Sequence, residues 1–339
     1  MPVANDPSVS LHNVGETVPA EWDDDGDRLC RVPEHVRAGL NEMARDRVRH
    51  PTGSEIRFVP EHERAEIEVT LSAPEATPVR PFWGVFQPWE PTEIGPGRET
   101  LTLSLPERIA ELPTTDGMGR FDPHVCRLVF DRHTPVALHD VTGACRPPET
   151  DELPDKRLLA YGTSITEGAA ASAPHLDYVS HVARDREFDV LNFGCSGSAY
   201  CESSMAEYIA SRDDWDVATL ALSVNMANTG GFAPETFHER AELFVNTIAA
   251  AHPEKPVVPI TLFPYFDDVI ASGDPVHARA YREALREIVA ESPHSNLTLV
   301  EGKTLMSLSG LVVDLLHPGD EGMKMIGERL ARRLEEITA

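Results

Sequence analysis

The period of the hydrophobic pattern changes once along the chain, near residue 150, and this change limits the fold more than any single motif does. Before it, apolar and polar residues alternate in short runs at residues 55–59, 65–71 and 100–105. A period of two is typical of half-buried strands. After it, short apolar runs alternate with stretches of helical period, which indicates repeated β-α units. The sequence therefore predicts two domains of different class.

Residues 1–150 are predicted to form an all-β domain, a jelly-roll-like sandwich, because prolines and glycines separate the alternating runs at the spacing of turns. One stretch departs from this pattern: residues 33–48 place Val36, Leu40 and Met43 at helical intervals. We interpret it as a helix within the sandwich domain. The polar, proline-rich residues 146–155 follow and are predicted to be a stiff linker.

Residues 81–89 concentrate aromatic side chains, Trp83 and Trp89 among them. Two interpretations are open: a platform that stacks on a sugar ring, or sandwich core with an occasional edge residue. Burial in the core is the more common use of clustered aromatics. We expect Trp89 to be the most exposed of them.

Residues 155–339 are predicted to form a three-layer α/β/α domain with a flavodoxin-like parallel sheet. Five apolar runs have the length of strands, at residues 157–161, 190–193, 217–224, 256–262 and 297–300. The last helical pattern carries Met323, Ile326, Leu330, Leu334 and Ile337 on one face. Parallel sheets of this kind bind ligands at the carboxyl ends of their strands. Residues at those ends are therefore candidates for a functional site.

Residues suited to acyl transfer follow four of these strands. Ser164 comes after the first, Gly197 after the second and Asn225 after the third, while Asp314 and His317 come after the fifth. A hydroxyl nucleophile needs a base, which an imidazole oriented by a carboxylate provides. A glycine N–H and a side-chain amide are donors that stabilise an oxyanion. The pattern thus favours nucleophilic catalysis on a carbonyl.

In content and order these blocks resemble the SGNH (GDSL-like) hydrolases. The last block, from Asp314 to His317, matches the family pattern in full. Gly197 matches the second block, and the first departs from the pattern at Thr163, where the family has Asp. The third matches only at Asn225, because Ser223 stands where the family has Gly and Met226 where it has Asp. The resemblance covers a little over half of the chain.

The resemblance implies a role for each residue. Ser164 attacks the ester carbonyl, His317 is the general base, and Asp314 orients the imidazole. The oxyanion is held by the backbone N–H groups of Ser164 and Gly197 and by the side-chain amide of Asn225. No metal or organic cofactor is needed.

A β-sandwich ahead of such a domain is similar to the two-domain carbohydrate acetyl esterases of that superfamily. The resemblance therefore implies a carboxylic ester hydrolase, a serine esterase acting on small acyl groups such as O-acetyl groups of a carbohydrate. Two alternatives stay open. One is a thioesterase or lysophospholipase-type acyl hydrolase, and the other is a glycan-binding protein without turnover.

Other interpretations of the same blocks remain at this point. Ser164 also suits the N-cap of a helix, and the spacing of Asp314 and His317 also suits a surface pair on one helical turn. Gly194 competes for the donor role in the second block, and Asn228 competes for it in the third.

Ser196 is a rival nucleophile. The elbow of α/β-hydrolases reads Gly-x-Ser-x-Gly, and here Ser198 occupies the fifth position, so the motif fails. The chain also lacks the Gly-x-Gly-x-x-Gly, Gly-x-x-x-x-Gly-Lys and His-Glu-x-x-His patterns. Dinucleotide, P-loop and zincin functions are therefore unsupported.

The charge balance argues against polyanionic partners. The chain carries 30 Lys and Arg against 56 Asp and Glu, a net charge of −26, and the acid is spread over both halves. We therefore expect no binding to nucleic acid. Four of the cations are Lys. Such acid-rich, lysine-poor chains resemble proteins that work in molar salt, where screening suppresses self-repulsion.

Three further sequence features bear on the cellular compartment. The first residues lack the basic start and apolar run of a secretory signal, and no stretch approaches the ~20 apolar residues of a membrane span. We expect a soluble, cytoplasmic protein without membrane contact, whose oligomeric state stays open. Five cysteines without a Cys-x-x-Cys pair argue against a disulfide framework and a zinc site.

Overall fold

The computed structural model describes residues 6–112 and 119–338, which divide into two compact units. The first unit comprises the described residues up to Pro33 and from Val48 to Asp155. The second comprises Glu34–Arg47 and the described residues from Lys156 onward. Helices α1 (Glu34–Ala38) and α2 (Glu42–Arg47) therefore belong to the second unit.

This grouping corrects the predicted domains at one segment. The sequence assigned residues 33–48 to the sandwich domain, 1–150, and started the second domain at 155. In the structure, Val36, Leu40 and Ala44 form a buried face, and α1 packs against a helix of the second unit, Ser203–Ser211. The single helix predicted there is two short helices separated at residues 39–41, and Met43 of the predicted face is 42% exposed. The buried residues pack on a unit whose main part begins more than 100 residues further along the chain.

The first unit consists of two antiparallel sheets. Its elements are β1 (Ser10–His12), β2 (Glu16–Pro19), β3 (Asp27–Cys30), β4 (Glu55–Pro60), β5 (Glu66–Ala73), β6 (Thr77–Trp83), β7 (Thr92–Ile94), β8 (Gly97–Ser104), helix α3 (Glu107–Ala110), β9 (Cys126–Phe130), β10 (Ala137–Thr142) and β11 (Cys145–Arg146). One sheet has the order β1-β4-β9-β6-β7, with β11 also paired to β4. The other has the order β2-β3-β10-β5-β8. The predicted β-sandwich is confirmed.

Alternation along the strands builds the core of this sandwich. In β5, Ile67, Val69 and Leu71 are buried while Glu66 and Glu68 are exposed. Such side chains from both sheets form one hydrophobic cluster. Within residues 81–89, Phe82 and Trp83 are buried and Trp89 is fully exposed. The aromatic segment is therefore core with an exposed end, as its composition favours.

The second unit contains a parallel sheet of order β13-β12-β14-β15. Its further elements are β12 (Lys156–Gly162), α4 (Ser164–Glu167), α5 (Tyr178–Arg186), β13 (Phe188–Gly194), α6 (Ser203–Ser211), β14 (Val217–Ala221), a π-helical turn (Asn225–Thr229), α7 (Pro234–Ala251), β15 (Val257–Ile260), α8 (Pro275–Glu291), α9 (Gly302–Leu305) and α10 (Asp320–Thr338). Helix α5 packs on α10, whereas α6, α7 and α8 pack in succession. The predicted three-layer, flavodoxin-like fold is confirmed.

The fifth predicted strand, 297–300, does not form as a regular strand. Leu297 and Val300 make isolated parallel bridges to β15. Four backbone hydrogen bonds flank the gap between them: Val257 N–H to Asn296, Thr298 N–H to Val257, Val300 N–H to Pro259, and Thr261 N–H to Val300. The missing member of this ladder would be donated by residue 259. Because Pro259 has no N–H, the ladder is interrupted there.

The remaining expectations of the second unit hold, with small shifts. Helix α8 begins with Asp274 as N-cap and Pro275 as first residue. Helix α10 buries Met323, Ile326 and Leu330 on one face. The third strand ends at Ala221, three residues earlier than predicted. No helix among the described residues is long and apolar enough to cross a membrane.

Candidate active site

The carboxyl ends of three neighbouring strands lie at one level of the sheet. Gly162, the last residue of β12, is in register with Gly194 of β13 and with Ala221 of β14. The loops that leave these strands carry Ser164, Gly197 and Asn225. The register thus brings the predicted blocks to the same edge of the sheet.

Ser164 is the first residue of helix α4 and not its cap. Thr163 has extended backbone angles, and its hydroxyl oxygen accepts a hydrogen bond from the N–H of Ile165 at 3.3 Å. The interpretation of Ser164 as a plain N-cap is therefore wrong. A short side chain at 163 suffices for the cap, which explains how Thr fits a position where the related hydrolases have Asp. The Ser164 hydroxyl is left for another partner.

That partner is His317. The hydroxyl of Ser164 lies 2.8 Å from Nε2 of His317, and Nδ1 of the same ring lies 2.7 Å from a carboxylate oxygen of Asp314. An ionised carboxylate accepts and does not donate, so Nδ1 carries the proton and Nε2 presents its lone pair to the serine. The imidazole bridges two residues that are 150 positions apart in sequence, which a mere surface pair would not do.

Asp314 is held in a tight turn that precedes α10. One of its oxygens accepts hydrogen bonds from the backbone N–H groups of Leu316 and His317 at 2.9 and 3.0 Å. Partial burial opposes ionisation, but the hydrogen bonds from the His317 side chain and from these two N–H groups outweigh it and lower the pKa of Asp314 below its ordinary value. Asp314 is therefore a carboxylate at neutral pH.

The second block offers one unused backbone donor. From 194 to 199, five of the six N–H groups donate to protein acceptors: Gly194 to Asn192, Cys195 to Gly162, Ser196 to Glu167, Ser198 to Cys195, and Ala199 to Asn225. Among the described residues, the N–H of Gly197 has no acceptor. Gly194 is thereby excluded as the donor, because its hydrogen is already engaged. Gly197 has φ +71°, a conformation that favours glycine.

Asn225 is oriented by the same loop. Its side-chain oxygen accepts the N–H of Ala199 at 3.2 Å, and the residue is 4% exposed. With its oxygen engaged, the amide presents its NH₂ group as the remaining donor. The rival Asn228 is exposed. Geometry therefore favours Asn225 over Asn228.

A match to a known protein family identifies the kind of protein that carries this arrangement. The model of the GDSL-like lipase/acylhydrolase family matches residues 155–335, more than half of the chain. The chain belongs to the GDSL-like lipase/acylhydrolase family. It is accordingly a carboxylic ester hydrolase, and the SGNH resemblance is confirmed. No curated protein matches its sequence significantly.

Solved structures similar to this GDSL-like acylhydrolase extend over both of its units. A salicylyl-acyltransferase, SsfX3, from a tetracycline biosynthetic pathway has a TM-score of 0.75 at 15% identity, with 98% of this chain and 97% of that one covered. A family two carbohydrate esterase from Cellvibrio japonicus has a TM-score of 0.65 at 14% identity, covering 98% and 96%. One from Clostridium thermocellum in complex with cellohexaose has 0.63 at 14%, covering 96% and 98%. At these identities the likeness concerns the fold.

The third block of this GDSL-like acylhydrolase carries a conformational penalty. Ser223 has φ +101°, in the left-handed region where glycine is favoured. This conformation explains why the related hydrolases have Gly at the position. The hydroxyl of Ser223 is buried and has no hydrogen-bond partner among the described residues. Met226, where the related hydrolases have Asp, is fully buried.

Two further residues clarify the site of the acylhydrolase. The buried hydroxyl of Ser196 has no hydrogen-bond partner among the described residues, so no base activates this rival nucleophile. Glu167, which the sequence did not single out, is 1% exposed and accepts the N–H of Ser196 at 2.7 Å. It ties the turn that carries Ser164 to the loop that carries Gly197. The sequence around Glu167 contains nothing that distinguishes a buried glutamate from a surface one, so sequence reasoning missed it.

Proposed function

We propose that the protein is a serine esterase that hydrolyses small acyl esters, O-acetyl groups on a carbohydrate being the preferred class, through Ser164, His317 and Asp314. The observation that carries the proposal is the continuous relay from the Ser164 hydroxyl through His317 to Asp314, with contacts of 2.8 and 2.7 Å. Both distances are those of well-formed hydrogen bonds, so proton transfer requires no rearrangement.

The reaction follows from the protonation states of these groups. Ser164 Oγ attacks the ester carbonyl while its proton passes to Nε2 of His317. Asp314 stabilises the imidazolium that forms. The same proton then goes to the leaving alcohol, and an acyl-serine ester remains. Water, deprotonated by His317, hydrolyses this ester and restores the serine.

The oxyanion requires donors aimed at the charge that develops on the carbonyl oxygen. The proposal assigns the N–H of Ser164 in the first turn of α4, the unused N–H of Gly197 and the NH₂ group of Asn225. Each preorganised donor of this kind is worth about 10²–10³ in kcat.

A small apolar cavity lies beside the turn that carries Ser164, but Ser164, Gly197, Asn225 and His317 do not line it. The cavity, of about 10 Å³, is lined by Thr163 and Ile165, which flank Ser164, and by Leu316, which precedes His317. Leu222, Val224 and Phe263 are among its other lining residues. This volume corresponds to about one water molecule. The carbohydrate part of the proposal is supported by the family two carbohydrate esterases among the similar structures.

A second candidate function is acyl transfer to an alcohol. The structural likeness to a salicylyl-acyltransferase over almost the whole of both chains favours it. The acyl-serine ester would then be attacked by an acceptor hydroxyl in place of water, with His317 removing the acceptor proton. The two functions differ only in the second step.

The deciding experiment compares the wild-type protein with Ser164→Ala in molar KCl on p-nitrophenyl acetate, butyrate, octanoate and palmitate. We expect rates to fall with acyl length and Ser164→Ala to lose at least about 10⁴-fold in kcat. Ser196→Ala is the matched control and should retain full activity. A folded protein that cleaves none of the esters and does not react with a fluorophosphonate would overturn the proposal.

Two additions separate the substrate classes. Release of acetate from acetylated xylo- or cello-oligosaccharides should exceed release from the aryl ester. An added alcohol that diverts most of the acyl group from acetate to a new ester would instead establish acyl transfer.

A further inference from the structure

Helices α1 and α2 with the loop between them, residues Glu34–Arg47, form a segment that we call the helical insert. It belongs to the second unit although it precedes most of the first unit in sequence. Gly39 in its loop approaches α6 so closely that a Cβ there would lie 2.7 Å from the side chain of Ser204. The insert is therefore packed tightly on the loop and helix that follow β13.

Asn41 connects the insert to the loop that carries Gly197. Its side-chain oxygen accepts the N–H of Ala44 at 3.1 Å and caps α2. Its side-chain nitrogen donates to the carbonyl oxygen of Ser198 at 2.8 Å and to the carboxylate of Glu202. Capping a helix needs only the oxygen. The two N–H bonds are therefore directed at the loop and not at the insert itself.

Met43 touches the same loop from the insert. A Cβ on Gly197 would lie 2.9 Å from the sulfur of Met43, so the thioether rests directly on this glycine. The side chain of Met43 is 42% exposed, which leaves part of it facing solvent beside Gly197. Two side chains of the insert thus bear on consecutive loop residues, 197 and 198.

We propose that the helical insert is a positioning element of the active site, with Asn41 as the positioning residue that holds the Gly197 donor in place through the carbonyl of Ser198. The inference rests on the proposed function in so far as that function assigns the Gly197 N–H to the oxyanion. Ser198 is fully buried. Without Asn41 this buried carbonyl would lose its hydrogen-bond donor, and the loop would move to regain one.

The expected signature is a loss in kcat and not in KM. A donor to the oxyanion acts in the transition state, so its displacement leaves substrate binding nearly unchanged. A misplacement of about 1 Å costs up to about 10²-fold in rate. Asn41→Ala should therefore lower kcat for p-nitrophenyl acetate by about 10- to 100-fold, with KM changed by less than about threefold.

The experiment compares Asn41→Ala with Asn296→Ala as matched control. Asn296 is a structural amide of the same unit, whose nitrogen donates to the carbonyls of Ala249, His252 and Lys255. Both variants should lower Tm. We expect Asn296→Ala to keep the wild-type kcat per folded molecule and Asn41→Ala to lose it. Equal kcat in the two variants would overturn the inference.

A second readout does not depend on turnover. Hydrogen exchange of the backbone amides at 194–199 should accelerate in Asn41→Ala and stay unchanged in Asn296→Ala. Met43→Ala, which truncates a half-exposed side chain and spares the fold, should accelerate exchange at the same amides to a smaller extent. Unchanged exchange there in both insert variants would sink the positioning role. A wild-type protein without esterase activity or fluorophosphonate labelling would defeat the proposed function alone, and exchange would still decide the role of Asn41.

Discussion

Two carboxylates of this protein, one in each unit, are bonded to basic side chains but differ in burial and in what they can do. In the first unit, Glu55 accepts hydrogen bonds from Arg57 at 2.6 Å and from Arg127 at 2.8 Å, and all three side chains are at most 8% exposed. In the second, the side chain of Asp314 is 44% exposed and its imidazole partner reaches on to Ser164. A sealed cluster keeps its charges permanently, whereas an open one can pass a proton to a reacting group.

The sealed cluster of Glu55, Arg57 and Arg127 shows how a buried carboxylate is kept ionised. Burial alone would raise the pKa of Glu55, but the charges of Arg127 and Arg57 outweigh it and lower the pKa to about 2. Arg127 also places its guanidinium 3.8 Å from the centroid of the Phe121 ring, a cation–π contact. Such a cluster tolerates no missing partner, because a single buried charge left over is strongly destabilising.

Replacing the carboxylate by an amide should impair catalysis in the cluster of Asp314 and stability in the cluster of Glu55. Asp314→Asn should lower kcat about 10⁴-fold, because an amide favours the wrong imidazole tautomer. Since Asp314 is half exposed, Tm should change by no more than a few degrees. Ester hydrolysis and calorimetry on one preparation measure both. A fall in Tm as large as that of a sandwich variant would contradict the contrast between the clusters.

Glu55→Gln should cost about 3–5 kcal/mol of unfolding free energy, because two arginines would stay buried without their carboxylate. Glu66→Gln, an exposed glutamate of the same unit, is the matched control and should stay within about 0.5 kcal/mol. Urea unfolding measures both values. If Glu55→Gln proved as mild as the control, the sealed cluster would not be a stabilising element.

The pH dependence of stability sharpens this prediction. A carboxyl with a depressed pKa in the folded state adds stability that is complete above its unfolded pKa and is lost as pH falls. For Glu55 the window runs from about 4.5 down to about 2. Wild-type stability should decline through this range more steeply than that of Glu55→Gln. Parallel profiles for the two proteins would exclude Glu55 as the titrating group.

Asn225→Ala should lower kcat by about 10²–10³-fold, the usual effect of losing one oxyanion donor. Asn228→Ala is the control, because Asn228 lies in the same turn and is exposed. Steady-state kinetics on p-nitrophenyl acetate compares the two. An equal loss in both variants would show that the turn as a whole, and not the amide of Asn225, supports the reaction.

Ser223→Gly should give the smallest effect, a gain of about 1 kcal/mol in stability, because glycine relieves the left-handed strain at a modest entropic cost. Ser223→Ala separates two causes: it also removes the unpaired buried hydroxyl but keeps the Cβ. Thermal unfolding should place Gly above Ala. The reverse order would show that the hydroxyl, not the backbone, carries the penalty.

Much of the site could be predicted from the sequence because its residues directly follow apolar runs. Once 157–161, 190–193 and 217–224 were recognised as parallel strands, Ser164, Gly197 and Asn225 had to meet at one sheet edge. The roles of these side chains remain predictions until the variants are measured. The choice of Gly197 over Gly194 needed the structure, since it depends on which backbone hydrogens are already bonded.

Other features had no local signal. The pattern of Val36, Leu40 and Met43 predicted helical structure, but it did not show the break at 39–41 or the exposure of Met43. Nor did it show which unit the helices pack against, because packing partners are chosen by tertiary contacts. The hydrophobicity of residues 297–300 predicted a strand, and the effect of Pro259 on that strand becomes visible only when the two segments are paired. Local patterns determine elements, and long-range contacts determine their neighbours.

The helical insert also affects how the chain can be made. Asn41 and Ser198 are separated by 157 positions, so during synthesis the insert leaves the ribosome long before the loop that it contacts. Contacts of such high sequence separation form slowly. A recombinant fragment that begins at residue 155 would lack the insert altogether and would expose the face of α6 that α1 covers. The second unit should therefore be expressed within the whole chain, or with Glu34–Arg47 joined to it through an engineered connection.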